Sequence, residues 1–160
     1  MNRFATLTMT TLLFVGVALL AGDGIAQQRS DSDNVNAAVD AFHAALSNLD
    51  IGMMQNVWAQ EPYVVLANPR DKAPAVGWDA VRKDWQDRVF GFWAELKLSP
   101  KQAPQIHINQ GTASTTGVTG VEGKNKSGQA LRFTIIETQV YEKRGDRWLM
   151  ISHHASQVPE

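Results

Sequence analysis

The C-terminal part of the chain has a strand-turn-strand pattern that constrains the fold more than any other segment. Two sets of alternate residues run through positions 131–141, and either set suits one face of a β-strand: Leu131, Phe133, Ile135, Glu137, Gln139 and Tyr141 in one, and Arg132, Thr134, Ile136, Thr138 and Val140 in the other. Gly145 and Asp146 lie at the centre of a polar turn, and positions 148–156 alternate again. This pattern predicts a β-hairpin with one buried face.

We expect the hairpin to close with Lys143 opposite Arg147, because the turn residues lie between them. Counting outward from that pair places Glu137 opposite His153. A slip of one residue would set Glu137 against His154 and mix the buried and exposed faces, so the slip is unfavourable. The same register also sets Gln139 opposite Ile151 and places Leu149 and Ile151 on the face of Phe133 and Ile135.

A carboxylate and an imidazole that face each other in an apolar cavity can act as a general acid/base pair. Burial raises the pKa of the acid while the charge of its partner lowers it, so proton transfer becomes feasible near neutral pH. We therefore interpret Glu137 and His153 as candidate catalytic residues, with Glu137 as base and His153 as acid. The alternative is a structural pair that satisfies two polar groups within the sheet.

The N-terminal residues have the three parts of a secretory leader. Arg3 precedes an apolar run from Leu12 to Leu20, and small residues end at Ala26. The run is short for a bilayer span, and no cysteine follows it to carry a lipid. We expect a signal peptide at 1–26, a disordered N-terminus at 27–33 and a single domain at 34–160, in a periplasmic or secreted protein without a stable membrane anchor. A retained signal anchor is the alternative.

Composition excludes several classes of function. The formal net charge of -1 argues against a nucleic-acid partner or a polybasic membrane surface. The chain has no cysteine, so its stability comes from packing, and 44% hydrophobic residues suffice for one core. No cofactor fingerprint is present, so no cofactor is expected. No metal site is expected either, because His153 and His154 are strand neighbours that point to opposite faces.

Helical and strand patterns follow one another in an order typical of an α+β domain. Helices are expected at 33–49, in a short segment after Asp50 and from Trp78, and strands near 63–67, 95–99, 104–110, 112–123, 129–143 and 147–156. A curved antiparallel sheet would wrap the N-terminal helices into a half-open cone, whose cavity is the default binding site. Candidate substrate-binding residues are Gln139, Tyr63, Trp58 and Trp93, although aromatic residues at these spacings also pack into cores.

Three segments carry a resemblance to a known family: G-W-D-A-V-R at 77–82, E-T-Q-V-Y at 137–141 and R-W-L-M-I-S-H-H-A-S at 147–156. The chain resembles the nuclear transport factor 2-like superfamily, and within it the SnoaL-like and ketosteroid-isomerase-like domains. The C-terminal hairpin is similar to the association domain of calcium/calmodulin-dependent kinase II. The resemblance implies an α+β cone that usually forms a homodimer, but it does not imply one activity.

In the kinase association domains, arginines occupy the positions that correspond to Gln139 and Ala155 inside a polar pocket. This chain has neither arginine, so a carboxylate-binding pocket of that kind is not expected. Both positions fall on the predicted face of Glu137 and His153.

These observations predict an exported domain that binds a small, largely apolar molecule in its cone. Proton transfer there would isomerise, cyclise or dehydrate the ligand. The alternative is a non-catalytic oligomerisation or accessory module. The second face of the hairpin is too apolar to be exposed to solvent, since it includes Ile136, Val140, Met150 and Ser152. We therefore expect a homodimer.

Overall fold

The structure is a computed structural model that describes residues 16–159. Its helices are α1 (Gly16–Ser47), α2 (Ile51–Val57), α3 (Trp78–Lys83) and α4 (Phe90–Phe92), and π-helical turns (Asp84–Val89) join α3 to α4. Its strands are β1 (Val65–Ala67), β2 (Ala75–Val76), β3 (Trp93–Pro100), β4 (Gln105–Asn109), β5 (Thr112–Asn125), β6 (Ala130–Arg144) and β7 (Arg147–Gln157). The predicted elements are all present, and β2 is an additional two-residue strand.

Helix α1 packs along the cone through an apolar stripe at helical spacing, made of Val35, Val39, Phe42 and Leu46, all of them buried. The helix begins before the predicted start at residue 33 and includes residues 27–33. The segment 27–33, for which the sequence predicts disorder, is helical in the structure: Asp31 is buried, and Lys143 Nζ donates a hydrogen bond to its Oδ1 at 2.6 Å. The predicted leader at 1–26 lies partly outside the described residues and stays a prediction.

The predicted cap of α2 is present. The carboxylate of Asp50 accepts a hydrogen bond from the backbone N of Met53 at 3.0 Å, which satisfies a free donor of the first turn. Within residues 16–159 no helix combines the length and the apolarity that a membrane crossing requires.

Seven strands form one curved sheet in the order β2-β1-β7-β6-β5-β3, and β4 also pairs with β5. The expected α+β cone is confirmed, with one correction: the sheet is mixed, because β1 runs parallel to β7 while the other pairs are antiparallel. Strand β7 is the last of the meander, and its outer edge would otherwise present unpaired backbone groups. The short β1 covers that edge.

The β6–β7 hairpin has a different register from the predicted one. Arg144 pairs with Arg147, so the turn contains only Gly145 and Asp146, and Gly145 adopts a φ of 61° that glycine tolerates. The ladder then shifts between Val140 and Tyr141. The corrected pairs are Glu137 with Ala155 and Gln139 with His153, instead of Glu137 with His153 and Gln139 with Ile151.

The shift leaves one extra residue, Ile151, in β7. Such a bulge exchanges the two faces of a strand, since side chains alternate with a period of two. Trp148 and Met150 are therefore buried before the bulge, and His153 and Ala155 are buried after it. The prediction that Leu149 and Ile151 share the inner face is wrong, as is the placement of Met150 on the outer face.

Candidate active site

An apolar cavity of about 400 Å³ opens between the concave face of the sheet and the helical segment that precedes β3. This volume lies within the range of small-molecule sites. Its walls are mostly aromatic and aliphatic: Leu46, Pro69, Trp85, Val89, Phe92, Trp93, Leu96, Leu98, Val121, Leu131, Phe133, Ile135 and Ala155. Its polar lining residues are Asn68, Arg70, Arg88, Glu137, His153 and Gln157.

Glu137 is a buried carboxylate of β6 that three side chains hold in place. His43 Nε2 on α1 lies 2.8 Å from its Oε1, and the Thr119 hydroxyl on β5 donates to the same oxygen at 2.5 Å. Gln139 Nε2 donates to Oε2 at 3.1 Å. Because a carboxylate only accepts, His43 carries its proton on Nε2. Elements far apart in the chain thus converge on one side chain.

Gln139 has its own partners, which fix the direction of its amide. Its Oε1 accepts hydrogen bonds from the Thr115 hydroxyl at 3.1 Å and from the Tyr141 hydroxyl at 2.7 Å. Burial, followed by the charges of Glu137 and Asp40, raises the pKa of Tyr141 well above its usual value, so its hydroxyl remains a donor. This leaves the Gln139 amide nitrogen free to point at Glu137.

His153 on β7 lies among aromatic rings and lacks the hydrogen bonds that surround Glu137. Its ring centre is 4.8 Å from that of Phe42 and 6.0 Å from that of Trp85. Its buried Nδ1 has no hydrogen-bond partner among the described residues. Burial lowers the pKa of His153 to about 4, although the charge of Glu137 opposes part of that shift. The imidazole is therefore neutral at pH 7.

Glu137 is ionised in spite of its burial. Burial alone would raise its pKa, but the hydrogen bond and charge of His43, together with the hydrogen bond from the Thr119 hydroxyl, hold the pKa of Glu137 below its usual value. The cavity therefore contains a neutral base beside a fixed negative charge.

The two predicted catalytic residues share one cavity, but Glu137 makes its short contact with His43 rather than with His153. No sequence motif singled out His43 as a candidate site residue. A signal for it was present, because His43 follows the buried Phe42 and lies four residues after the buried Val39 on the same helix. What the sequence could not show is which strand residue that helix face would meet.

The predicted substrate-binding residues fall into different places. Trp93 lines the cavity, and its contact with a substrate stays a prediction. Trp58 is buried in the main core, and Gln139 belongs to the hydrogen-bond network behind Glu137. Tyr63 is 48% exposed, and its hydroxyl donates to Glu142 Oε2 at 2.6 Å and accepts from Arg144 Nη2 at 2.6 Å. Neither Trp58 nor Tyr63 lines the cavity.

A second cavity, of about 450 Å³, lies on the other side of Glu137, between α1 and the segment before β4. Asp40, His43, Thr119 and Gln139 are among its lining residues. Glu137 therefore separates two cavities, of which the first has the apolar walls and His153. Across residues 16–159, no group of three potential metal ligands comes together.

Comparisons with known proteins agree with this architecture. Solved structures with the same fold include a nuclear transport factor 2-like superfamily protein from Salmonella enterica, with a TM-score of 0.76 and 15% identity over 84% of this chain and 94% of that one. They also include a hexachlorocyclohexane dehydrochlorinase from Novosphingobium barchaimii, with a TM-score of 0.71 and 10% identity over 82% and 89% of the two chains.

A further similar structure is described as a candidate calcium/calmodulin-dependent protein kinase type II association domain from Thiobacillus denitrificans. Its TM-score is 0.64, with 29% identity over 77% of this chain and 94% of that one. No curated protein matches the chain. The family model of the SnoaL-like domain matches residues 35–160, which include every element from the buried half of α1 to β7. The chain therefore belongs to the SnoaL-like domain family.

Proposed function

We propose that the cone binds a small, largely apolar molecule and catalyses proton transfer on it. The observation that carries this proposal is the cavity itself, whose apolar walls surround His153 and Glu137. Pockets of this kind, with a few convergent polar groups, are the usual sites of small-molecule chemistry. A fold shared with a dehydrochlorinase supports the capacity of the architecture for such chemistry, without indicating the substrate.

In this proposal His153 is the proton acceptor, which reverses the roles that the sequence suggested. Its imidazole is neutral at pH 7, whereas both oxygens of Glu137 already accept hydrogen bonds. When His153 takes a proton from a C–H bond of the ligand, the negative charge of Glu137 stabilises the imidazolium. Return of the proton at another atom gives isomerisation or cyclisation, and its donation by the imidazolium to a departing hydroxyl group releases water and gives dehydration.

Exchange of C–H hydrogens for deuterium tests this chemistry without knowledge of the substrate. Tetralone, a small apolar ketone, is incubated in D₂O with the protein, and its exchange is followed by NMR. We expect catalysed exchange that falls by about 100-fold in His153→Gln, which is a usual contribution of a positioned base. His154→Gln is the matched control, since His154 is exposed. Exchange that is equally fast in both variants would refute the role of His153.

Assembly is the alternative function. The similarity to a candidate kinase association domain favours it, and Ile136 on β6 is 46% exposed on the outer side of the sheet. In an assembly module we expect His153→Gln to leave the oligomer unchanged and no apolar ligand to bind. Thermal shift with tetralone separates the two functions, because only a binding site raises the melting temperature with ligand concentration.

We also propose that the protein is exported to the periplasm or secreted. The three-part pattern of residues 1–26 supports this. Asp31 is the first of the described side chains that anchors α1 to the sheet, and its contact with Lys143 does not involve residues 1–26. N-terminal sequencing of the mature protein is expected to begin at Gln27, and recovery of Met1 in the exported fraction would contradict cleavage.

A further inference from the structure

Two arginines lie at the mouth of the apolar cavity, and their charges are balanced differently. Arg88 Nη2 contacts Asp71 Oδ1, and its Nε lies 3.2 Å from Asp84 Oδ1, so two carboxylates compensate this guanidinium. Arg70 lines the same cavity and has no acidic partner within the described part of the chain. Arg70 therefore brings an uncompensated positive charge to the mouth.

The backbone that carries Arg70 is fixed. Asn68 to Asp71 form a tight turn, in which Asp71 N donates to Asn68 O at 3.0 Å and Asn68 N donates to Asp71 Oδ2 at 2.7 Å. Asn68 Nδ2 also donates to Asp84 Oδ2 at 3.0 Å, and Pro69 restricts the turn further. The Asp71 side chain is only 4% exposed, which is low for a surface turn. The turn thus fixes the position of the Arg70 backbone beside the cavity.

The two polar ends of the cavity differ in sign. Glu137 at the inner end is ionised and already accepts three hydrogen bonds, so a negatively charged ligand group is repelled there. The walls between the ends are apolar and accept only uncharged surface. A ligand that complements all three regions has an apolar body, an uncharged group beside His153 and an anionic group at the mouth.

We propose that the ligand is an apolar carboxylic acid whose carboxylate binds Arg70 at the mouth of the cavity. This specificity rests on the proposed function, since it describes the ligand of the same cavity. Arg70 lies on the turn after β1, so the contact differs from the arginine positions of the kinase association domains at Gln139 and Ala155. A guanidinium suits this role because its planar N–H groups match the two oxygens of a carboxylate.

Binding of naphthylacetate and of the neutral naphthylacetamide tests the proposal, because the two probes share one apolar body. Calorimetry at low salt is expected to show the acid binding about tenfold more tightly than the amide. In Arg70→Gln we expect the affinity for the acid to fall to that for the amide, and the affinity for the amide to stay unchanged. Arg82→Gln is the matched control, since Arg82 is exposed on α3 and does not line the cavity. Added salt is expected to weaken the binding of the acid but not that of the amide.

The outcomes separate this proposal from the proposed function. Equal affinity of acid and amide for the unaltered protein overturns the role of Arg70 and leaves an apolar ligand site. The same conclusion follows if Arg82→Gln weakens the binding of the acid as much as Arg70→Gln does. If neither probe binds at millimolar concentration while the protein remains folded, both the carboxylate contact and the ligand-binding function are overturned.

Discussion

The ionisation of His153 couples the stability of the protein to pH. An unfolded histidine titrates near 6.5, whereas the pKa of folded His153 is about 4 because the ring is buried. Between these values the unfolded chain binds more protons, so the native state loses stability as the pH falls from about 6.5 to about 4. We expect the free energy of unfolding to decrease by roughly 3 kcal/mol from this residue, as measured by urea denaturation.

The control for this pH dependence is the neighbouring histidine. His153→Gln is expected to remove the contribution of the buried ring, whereas His154→Gln, on the exposed side of β7, is expected to retain it. Glu137 acts in the same direction at lower pH, since its pKa is held below 4.5 and its stabilisation is lost as that carboxylate is protonated. A pH profile that is unchanged by His153→Gln would show that the ring is not buried in its neutral form.

Substitution of Glu137 by glutamine is expected to destabilise the protein even though the shape is conserved. All three partners donate to the carboxylate, so the new amide group faces at least one donor. Gln139 cannot turn its amide to accept, because Thr115 and Tyr141 already donate to its oxygen. We expect a loss of about 1–3 kcal/mol in the free energy of unfolding, typical of an unsatisfied buried group.

The control for the glutamine substitution is Glu142→Gln, which changes the same group on an exposed part of β6. Unfolding by urea is expected to show little change in that variant. If Glu137→Gln also leaves the free energy of unfolding nearly unchanged, the hydrogen bonds around Glu137 do not have the directions described above. A loss of activity in Glu137→Gln therefore has to be interpreted together with its stability.

At the level of single residues, the sequence predicted which residues of the hairpin face inward better than it predicted the residues that they contact. Period-two patterning placed Glu137 and His153 on one inner face, because burial of that face depends only on alternation. It did not predict His43, since the partner of a helix residue depends on how α1 crosses the sheet. It also named Trp58 as a candidate ligand contact, with core packing as the alternative, and aromatic residues carry no signal that separates the two.

At the level of the strands, Gly123 on β5 has no room for a side chain beside β3. A Cβ atom on Gly123 would clash with the backbone carbonyl oxygen of Glu95 and would lie 2.8 Å from the ring of Trp93. The backbone of β3 cannot move away without disturbing its strand pairing. Gly123→Ala is therefore expected to destabilise the protein by about 1–3 kcal/mol, the usual cost of overpacking. Thermal or urea unfolding measures this change.

The matched control is Gly111→Ala, because a Cβ atom there meets nothing within 4 Å. We expect that variant to be close to the unaltered protein in stability. Since Trp93 lines the cavity, Gly123→Ala should also weaken binding of an apolar probe. Equal stability of the two alanine variants would contradict the close contact between β5 and β3.

Strand order and strand pairing were not equally predictable. Helix spacing, turn residues and alternation gave the elements in the correct order, because each depends on local sequence. The bulge at Ile151 left no comparable signal, because Ile151 simply continues the apolar run of Trp148, Leu149 and Met150. The parallel pairing of β1 with β7 also escaped prediction, since it joins strands separated by most of the domain.

At the level of the whole molecule, the outer sheet face predicts a homodimer. Ile136 is 46% exposed there, with the half-buried Thr138 and Val140 beside it, whereas Met150 no longer belongs to this face. Light scattering at micromolar concentration is expected to give the mass of a dimer. Ile136→Lys should shift it to a monomer, because a charge would be buried without a partner.

A second exposed aliphatic residue provides the control for the dimer. Val76 is 58% exposed on β2, at the edge of the sheet and away from Ile136. We expect Val76→Lys to remain dimeric. A monomer mass for the unaltered protein would contradict the prediction, as would equal dissociation by the two lysine variants.

The contacts that close the cone join the two ends of the chain. Asp31 meets Lys143 across 112 residues, His43 meets Glu137 across 94, and β1 pairs with β7. The ribosome must therefore complete nearly the entire polypeptide before these contacts form, and the N-terminal half has little with which to fold early. The cone therefore stays open until synthesis is nearly complete. Under the proposed export, this delay would keep the chain in a form that a narrow translocation channel can accept.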